Sequence, residues 1–85
     1  MAITFIGIDP DTKSTGSPTV WVDQETNDII IQGWKATPEL RRQVAETPAP
    51  GHEAGIPEGE DVITIPARMG PALRKAIDDV ELRVA

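Results

Sequence analysis

Eighty-five residues, no cysteine, and 14 acidic against 8 basic side chains give a net charge of −6 and a pI near 4.5. A domain of this length buries only roughly 60 to 65% of the surface its unfolded chain exposes. With no thiol to form a disulfide or hold a metal, the thin core is left to good packing or to oligomerisation, here expected as a homodimer. The acidic field repels phosphate backbones and favours basic partners, so nucleic acid is disfavoured. No apolar run approaches the roughly 20 residues that span a bilayer, and no basic-then-apolar signal region opens the chain. The expected location is therefore the cytoplasm, away from membranes.

Residues Ala2 to Ile8 alternate apolar positions and predict a strand, with Ile3 and Phe5 on one side and Thr4, Ile6 and Ile8 on the other. From Asp9 to Pro18 the chain is dense in Asp, Thr, Ser, Gly and Pro, which predicts a loop. Two β-rich runs follow, Thr19 to Asp23 and Asp28 to Trp34, separated by Gln24-Glu25-Thr26-Asn27, the pattern of a hairpin on a four-residue loop. If Asp23 faces Asp28, then Val22 opposes Ile29, Trp21 opposes Ile30 and Val20 opposes Ile31. Both faces of this ribbon are then apolar, and each needs a cover, which can be another chain.

Thr37, Pro38 and Glu39 are an N-cap, a first helical residue and a dipole-matched acid, predicting a short helix to about Ala45. Residues 46–60 carry three prolines, three glycines and four glutamates, which predicts a flexible acidic loop within a single domain spanning 1–85. Asp61 to Ile65 resumes strand character and stops at Pro66. Met69, Leu73, Ala76, Ile77, Val80 and Val84 recur at helical spacing and predict a final helix whose regular part opens at Pro71. The expected fold is α+β: a small, mostly antiparallel sheet built on the central hairpin, with the C-terminal helix packed on one face.

Few residues point to chemistry. His52 beside Glu53 is a lone histidine in a loop, and a zinc site needs more ligands than that. There is no nucleophile elbow and no phosphate-cradling glycine loop, so the sequence names no catalytic, cofactor-binding or metal-ligating residue, and the chain is read as no enzyme. Trp21 and Trp34 are the only tryptophans and there is no tyrosine. With positions 30 and 34 on one strand, Trp21, Ile30 and Trp34 share a face and form the candidate interaction surface, tryptophan being enriched where proteins meet although a core position is its commoner use.

Three resemblances bear on function. Phe5-Ile6-Gly7-Ile8-Asp9-Pro10 with Thr15-Gly16 resembles the first strand of RuvC-type junction resolvases, which implies a metal-binding role for Asp9 and, beside it, Asp11, in a metal-dependent nuclease-like fragment. Asp11 replaces the second glycine of that pattern, and two-metal chemistry needs further carboxylates from other elements. Asp61-Val62-Ile63-Thr64-Ile65-Pro66 followed by Arg68 is similar to a segment of swapped-hairpin DNA-binding proteins of the AbrB and MazE type, which implies DNA contact through Ile65-Pro66-Ala67-Arg68, against an acidic flank. Across nearly the whole chain, the opening Thr-Phe-Ile-Gly-Ile-Asp-Pro, Gly16 to Val22, Ile31 to Thr37 with its Gln-Gly-Trp-Lys, and Val62 to Met69 resemble small acidic actinobacterial proteins of unknown function. These are similar in layout to BldB-like developmental regulators. That resemblance implies a non-enzymatic accessory regulator acting with a transcription factor or in an antitoxin-like pair, with a basic partner such as a helix-turn-helix protein.

Overall fold

The computed structural model describes residues 2–11 and 16–84. The part of the predicted Asp9-to-Pro18 loop at 12–15, including the Thr15 of the junction-resolvase resemblance, lies outside the described residues. Contacts divide the chain into two compact units, one made of residues up to Gly33 together with those from Ile65 onward, the other of Trp34–Thr64.

In the first unit, β1 (Ile3–Ile8), β2 (Thr19–Asp23) and β3 (Ile29–Gln32) form an antiparallel sheet in the order β1-β2-β3. The hairpin register is the expected one, with Val22 opposite Ile29, Trp21 opposite Ile30 and Val20 opposite Ile31. Its turn is built by Asp23. The Asp23 amide donates to the Asp28 carbonyl at 2.9 Å, and Oδ1 accepts from the amides of Glu25 and Thr26 at 2.8 and 3.3 Å. Asn27 takes the left-handed conformation, φ 65°, that closes the loop and that asparagine tolerates better than most residues.

Behind the sheet lies α2 (Gly70–Val84), entered through a 3₁₀ turn at Ala67–Met69. Pro66, extended at φ −68° and ψ 153°, caps that turn, and its carbonyl accepts from the Met69 amide at 2.9 Å. The regular helix thus opens at Gly70, one residue before the expected Pro71. Pro71 then occupies the second helical position, where a missing N–H leaves no helical bond unmade. Val20, Val22, Met69 and Ala76 are fully buried, with Ile6, Ile29, Ile65, Ala72, Leu73 and Val80 packed around them. Burying a valine or methionine contributes about 1.5–3 kcal/mol each. Ile77 and Val84, expected in the same stripe, are exposed, because they lie on the flank of the narrower seam formed by Met69, Leu73, Ala76 and Val80.

Strict alternation in β1 fails at one place. Phe5 pairs with Trp21 and Gly7 with Val20, so Ile6 is an extra residue, a β-bulge. Ile6 stays on the core side that period-two reading gives it, and the bulge brings Gly7 there as well and returns Ile8 to the side of Ile3 and Phe5, opposite to where that reading sets it. Gly7 is needed beside it, since a Cβ there would lie 2.8 Å from the Ala72 Cβ of α2.

The second unit holds β4 (Trp34–Lys35), α1 (Pro38–Ala45) and β5 (Ile63–Thr64). Thr37 caps α1 as expected, its Oγ1 accepting from the Leu40 amide at 3.1 Å. The predicted strand 28–34 is not continuous. β3 ends at Gln32, and Trp34 pairs with Thr64 in a separate two-stranded sheet, with Gly33 at the break. β5 is shorter than the expected Asp61-to-Ile65 strand because its partner β4 has only two residues before the chain turns into the helix cap, although the Ala36 amide extends the pairing to the Val62 carbonyl at 3.3 Å. Between α1 and β5 the chain runs through turns, with Gly51 and Gly55 at positive φ.

Candidate interaction surface

Helix α2 covers the side of the sheet that carries Val20 and Val22. By the alternation of strands, the opposite side carries Trp21 and its cross-strand neighbours Phe5 and Ile30, a row of three apolar side chains running across all three strands. Ile3 and Ile8 extend it along β1. Ile3, Phe5 and Ile8 are 51%, 58% and 50% exposed, while Trp21 and Ile30, flanked within the sheet, are half-buried. Apolar area of this kind on a small acidic chain makes this side the candidate surface.

The same strand also presents its backbone. The Ala2 carbonyl accepts from the Gln24 amide at 2.9 Å and the Asp9 amide donates to the Pro18 carbonyl at 2.9 Å, so these residues face β2. Ile3, Phe5 and Ile8 then turn their amides and carbonyls to the free edge of the sheet.

Of the three residues expected to form one surface, the structure brings Trp21 and Ile30 together as direct cross-strand partners. Trp34 is 46% exposed and belongs to β4, in the other unit. Its placement beside Ile30 rested on one unbroken strand, and the break at Gly33 removes that premise. Ile3, Phe5 and Ile8 lie outside the expected surface: the Ile3–Phe5 alternation is a visible signal, but neither the edge position of β1 nor the bulge that rephases Ile8 has a local signature.

The two residues singled out for chemistry meet each other. The carboxylate of Asp9, which is 2% exposed, accepts from Arg68 Nε at 2.6 Å and from Nη2 at 2.8 Å, a bidentate pair that joins the end of β1 to the 3₁₀ turn before α2. Asp9 Oδ1 also accepts from the Asp11 amide at 3.0 Å, and the Asp11 carboxylate lies 3.5 Å from Arg68 Nε. The bond to Asp9 holds the Arg68 guanidinium above its ordinary pKa. A buried carboxylate needs such a partner to stay ionised. Arg68 therefore spends its fork on Asp9, and Asp9 its oxygens on Arg68. Among the described residues no three His, Asp or Glu side chains converge as metal ligands, and His52 lies in the exposed segment after α1.

In the second unit, charges line a shallow depression formed by Lys35, Ala36, Arg41, Glu58, Glu60 and Asp61. Arg41 Nη1 donates to Asp61 Oδ1 at 2.9 Å, and Asp61 is held below its ordinary pKa first by the Val62 amide and then by Arg41. Arg42 bridges Glu39 and Glu46 along α1, and with Gln43 it lowers the pKa of Glu39. Opposite charges are already matched here, and the pairs are exposed. No helix among the described residues is long and apolar enough to cross a membrane. No family model, curated protein or solved structure matches this chain.

Proposed function

We propose that this chain is a non-enzymatic protein-interaction module of the cytoplasm, an accessory regulator that works beside a transcription factor or as one half of an antitoxin-like pair. The observation that carries the reading is the open side of the three-stranded sheet, where Phe5, Trp21 and Ile30 form an apolar row with Ile3 and Ile8 beside it. A chain that leaves its only phenylalanine more than half exposed, while among the described residues the fully buried core is as small as Val20, Val22, Met69 and Ala76 with Pro18 beside them, spends scarce apolar surface outside its core. The acidic balance supports a protein partner over nucleic acid. The resemblance to small acidic regulators supports the regulatory setting. Direct DNA contact through Arg68 draws less support, since that guanidinium is already held by two carboxylates.

The test compares the protein with Phe5→Ser in isolation from its native cells. The ring is exposed, so the variant keeps its fold, and truncating a central aromatic at an interface costs 2 kcal/mol or more, about thirtyfold in affinity. A protein or second copy retained by the natural chain and lost from Phe5→Ser is the expected result. Identical retention by both would end the proposal.

A further inference from the structure

We infer that the open sheet face is occupied by a cationic amphipathic segment of another protein and not by a second copy of this chain. The inference rests on reading that face as the docking surface. Period-two alternation places three cross-strand rows on this side of the sheet. The central row is Phe5–Trp21–Ile30. Toward the hairpin end, Ile3 lies beside Asp23, with Asp28 facing Asp23 across the turn. Toward the other end, Ile8 lies beside Thr19, which pairs with Gln32. The described part of this side thus holds apolar, neutral polar and anionic residues and no Lys or Arg.

Of the two carboxylates at the hairpin end, Asp23 is 7% exposed and its Oδ1 accepts from the turn amides of Glu25 and Thr26, while Asp28 is exposed and is the one a partner can reach. Arg83 reaches the turn through Nε to Asn27 Oδ1, but its Nη1 is already paired with Asp79. A partner that sets aliphatic side chains on the central row therefore meets the exposed Asp28 carboxylate at the hairpin end, on a chain of net charge −6, which Lys or Arg flanking its apolar stripe would satisfy.

A second copy fits less well on two counts. It would bring one net charge of −6 against another. The patch is also small: side chains about half exposed, with an aromatic offering 150–250 Å² in full, supply on the order of 500 Å² together. A stable pairing needs about 800 Å² from each partner. Charge attraction makes up that difference for a cationic segment and enlarges it for an identical chain.

The experiment uses the whole chain and two synthetic peptides, one with leucines on one side and lysines on the other, the second with glutamate in place of every lysine. The lysine peptide is expected to shift the amide resonances of Ile3, Phe5, Ile8, Trp21 and Ile30, to weaken as salt is raised, and to lose about tenfold in affinity with Phe5→Ser. Asp28→Asn should weaken it by a smaller factor and flatten the salt dependence. Equal binding of the two peptides at this face would overturn the charge inference while leaving the docking surface standing. If neither peptide binds but light scattering finds a dimer whose formation shifts the same amides, the occupant is a second copy and the inference fails alone. Shifts elsewhere, indifferent to Phe5→Ser, would overturn it too. Silence from both peptides and a monomer throughout would remove the inference and the docking surface together.

Discussion

The sheet-and-helix unit buries Val20, Val22, Met69 and Ala76 completely, whereas no residue of 34–64 reaches that degree of burial. The second unit is held by a two-residue strand pairing, a capped helix, turn hydrogen bonds and exposed ion pairs around Arg41 and Arg42. Apolar burial is not weakened by charge screening, while exposed ion pairs are screened and individually weak. The contrast teaches that stability in this chain is unevenly spread: the first unit sets the global free energy, and 34–64 lies at the low end of local stability. The proposed docking face would benefit from lying on the better-buried side of that division, because a preordered sheet loses little entropy on binding.

The sharpest way to break the comparison is to cut into each unit in turn. Met69→Ala should cost about 2–5 kcal/mol in urea unfolding, much of the stability of a domain this size. Val44→Ala in α1, where the side chain is only half-buried, should cost less than about 1 kcal/mol. Equal losses would mean that burial does not separate the two units.

A smaller effect tests the close approach of β1 to α2. Gly7→Ala puts a methyl 2.8 Å from the Ala72 Cβ, a contact that backbone or helix must shift to relieve, and should cost about 1–3 kcal/mol. Gly59→Ala, where a Cβ meets nothing within 4 Å, should stay within about 0.5 kcal/mol. A neutral Gly7→Ala would show that the sheet and helix have slack.

The smallest effect belongs to the exposed charges and is read by pH. Glu39 and Asp61 are both held below their ordinary values of 4.5 and 3.8, Glu39 chiefly by Arg42 and Asp61 chiefly by the Val62 amide. Because the folded values are the lower ones, their contribution is complete above those ordinary values and is lost as pH falls through the depressed ones. Carboxyl resonances should titrate below 4.5 for Glu39 and below 3.8 for Asp61. Arg42→Ala should return Glu39 upward and leave Asp61 where it was. Midpoints at the ordinary values would show that the pairs around α1 hold nothing in place.

What the amino-acid string discloses about this fold is what short-range physics controls. The hairpin register follows from two β-branched runs and a four-residue turn, and α1 begins where Thr37, Pro38 and Glu39 say it should. The α+β class and the helix on one sheet face follow from the two hydrophobic periods. Other features depend on residues that are distant in the chain. Gly33 splits an apolar run that looks continuous, because Trp34 finds its partner at Thr64. The bulge at Ile6 brings Gly7 against Ala72 of α2, a helix far along the chain. Asp9 and Arg68 each suggested a separate chemistry when read alone, and only folding across 59 positions turns them into one ion pair. The candidate surface was half legible for the same reason: Trp21 and Ile30 belong to the local hairpin, while Phe5 joins them only through the pairing of β1 with β2.

The discontinuous makeup of the first unit has a consequence for how the polypeptide is made. Val20 and Val22 leave the ribosome well before Met69 and Ala76, the helical residues that cover them. At about 5–20 residues per second, the finished hairpin waits several seconds while 34–64 is translated, with both of its sides wet. A nascent chain in that interval displays two greasy surfaces where the completed protein displays one, so the hairpin is most exposed to unwanted contacts during synthesis.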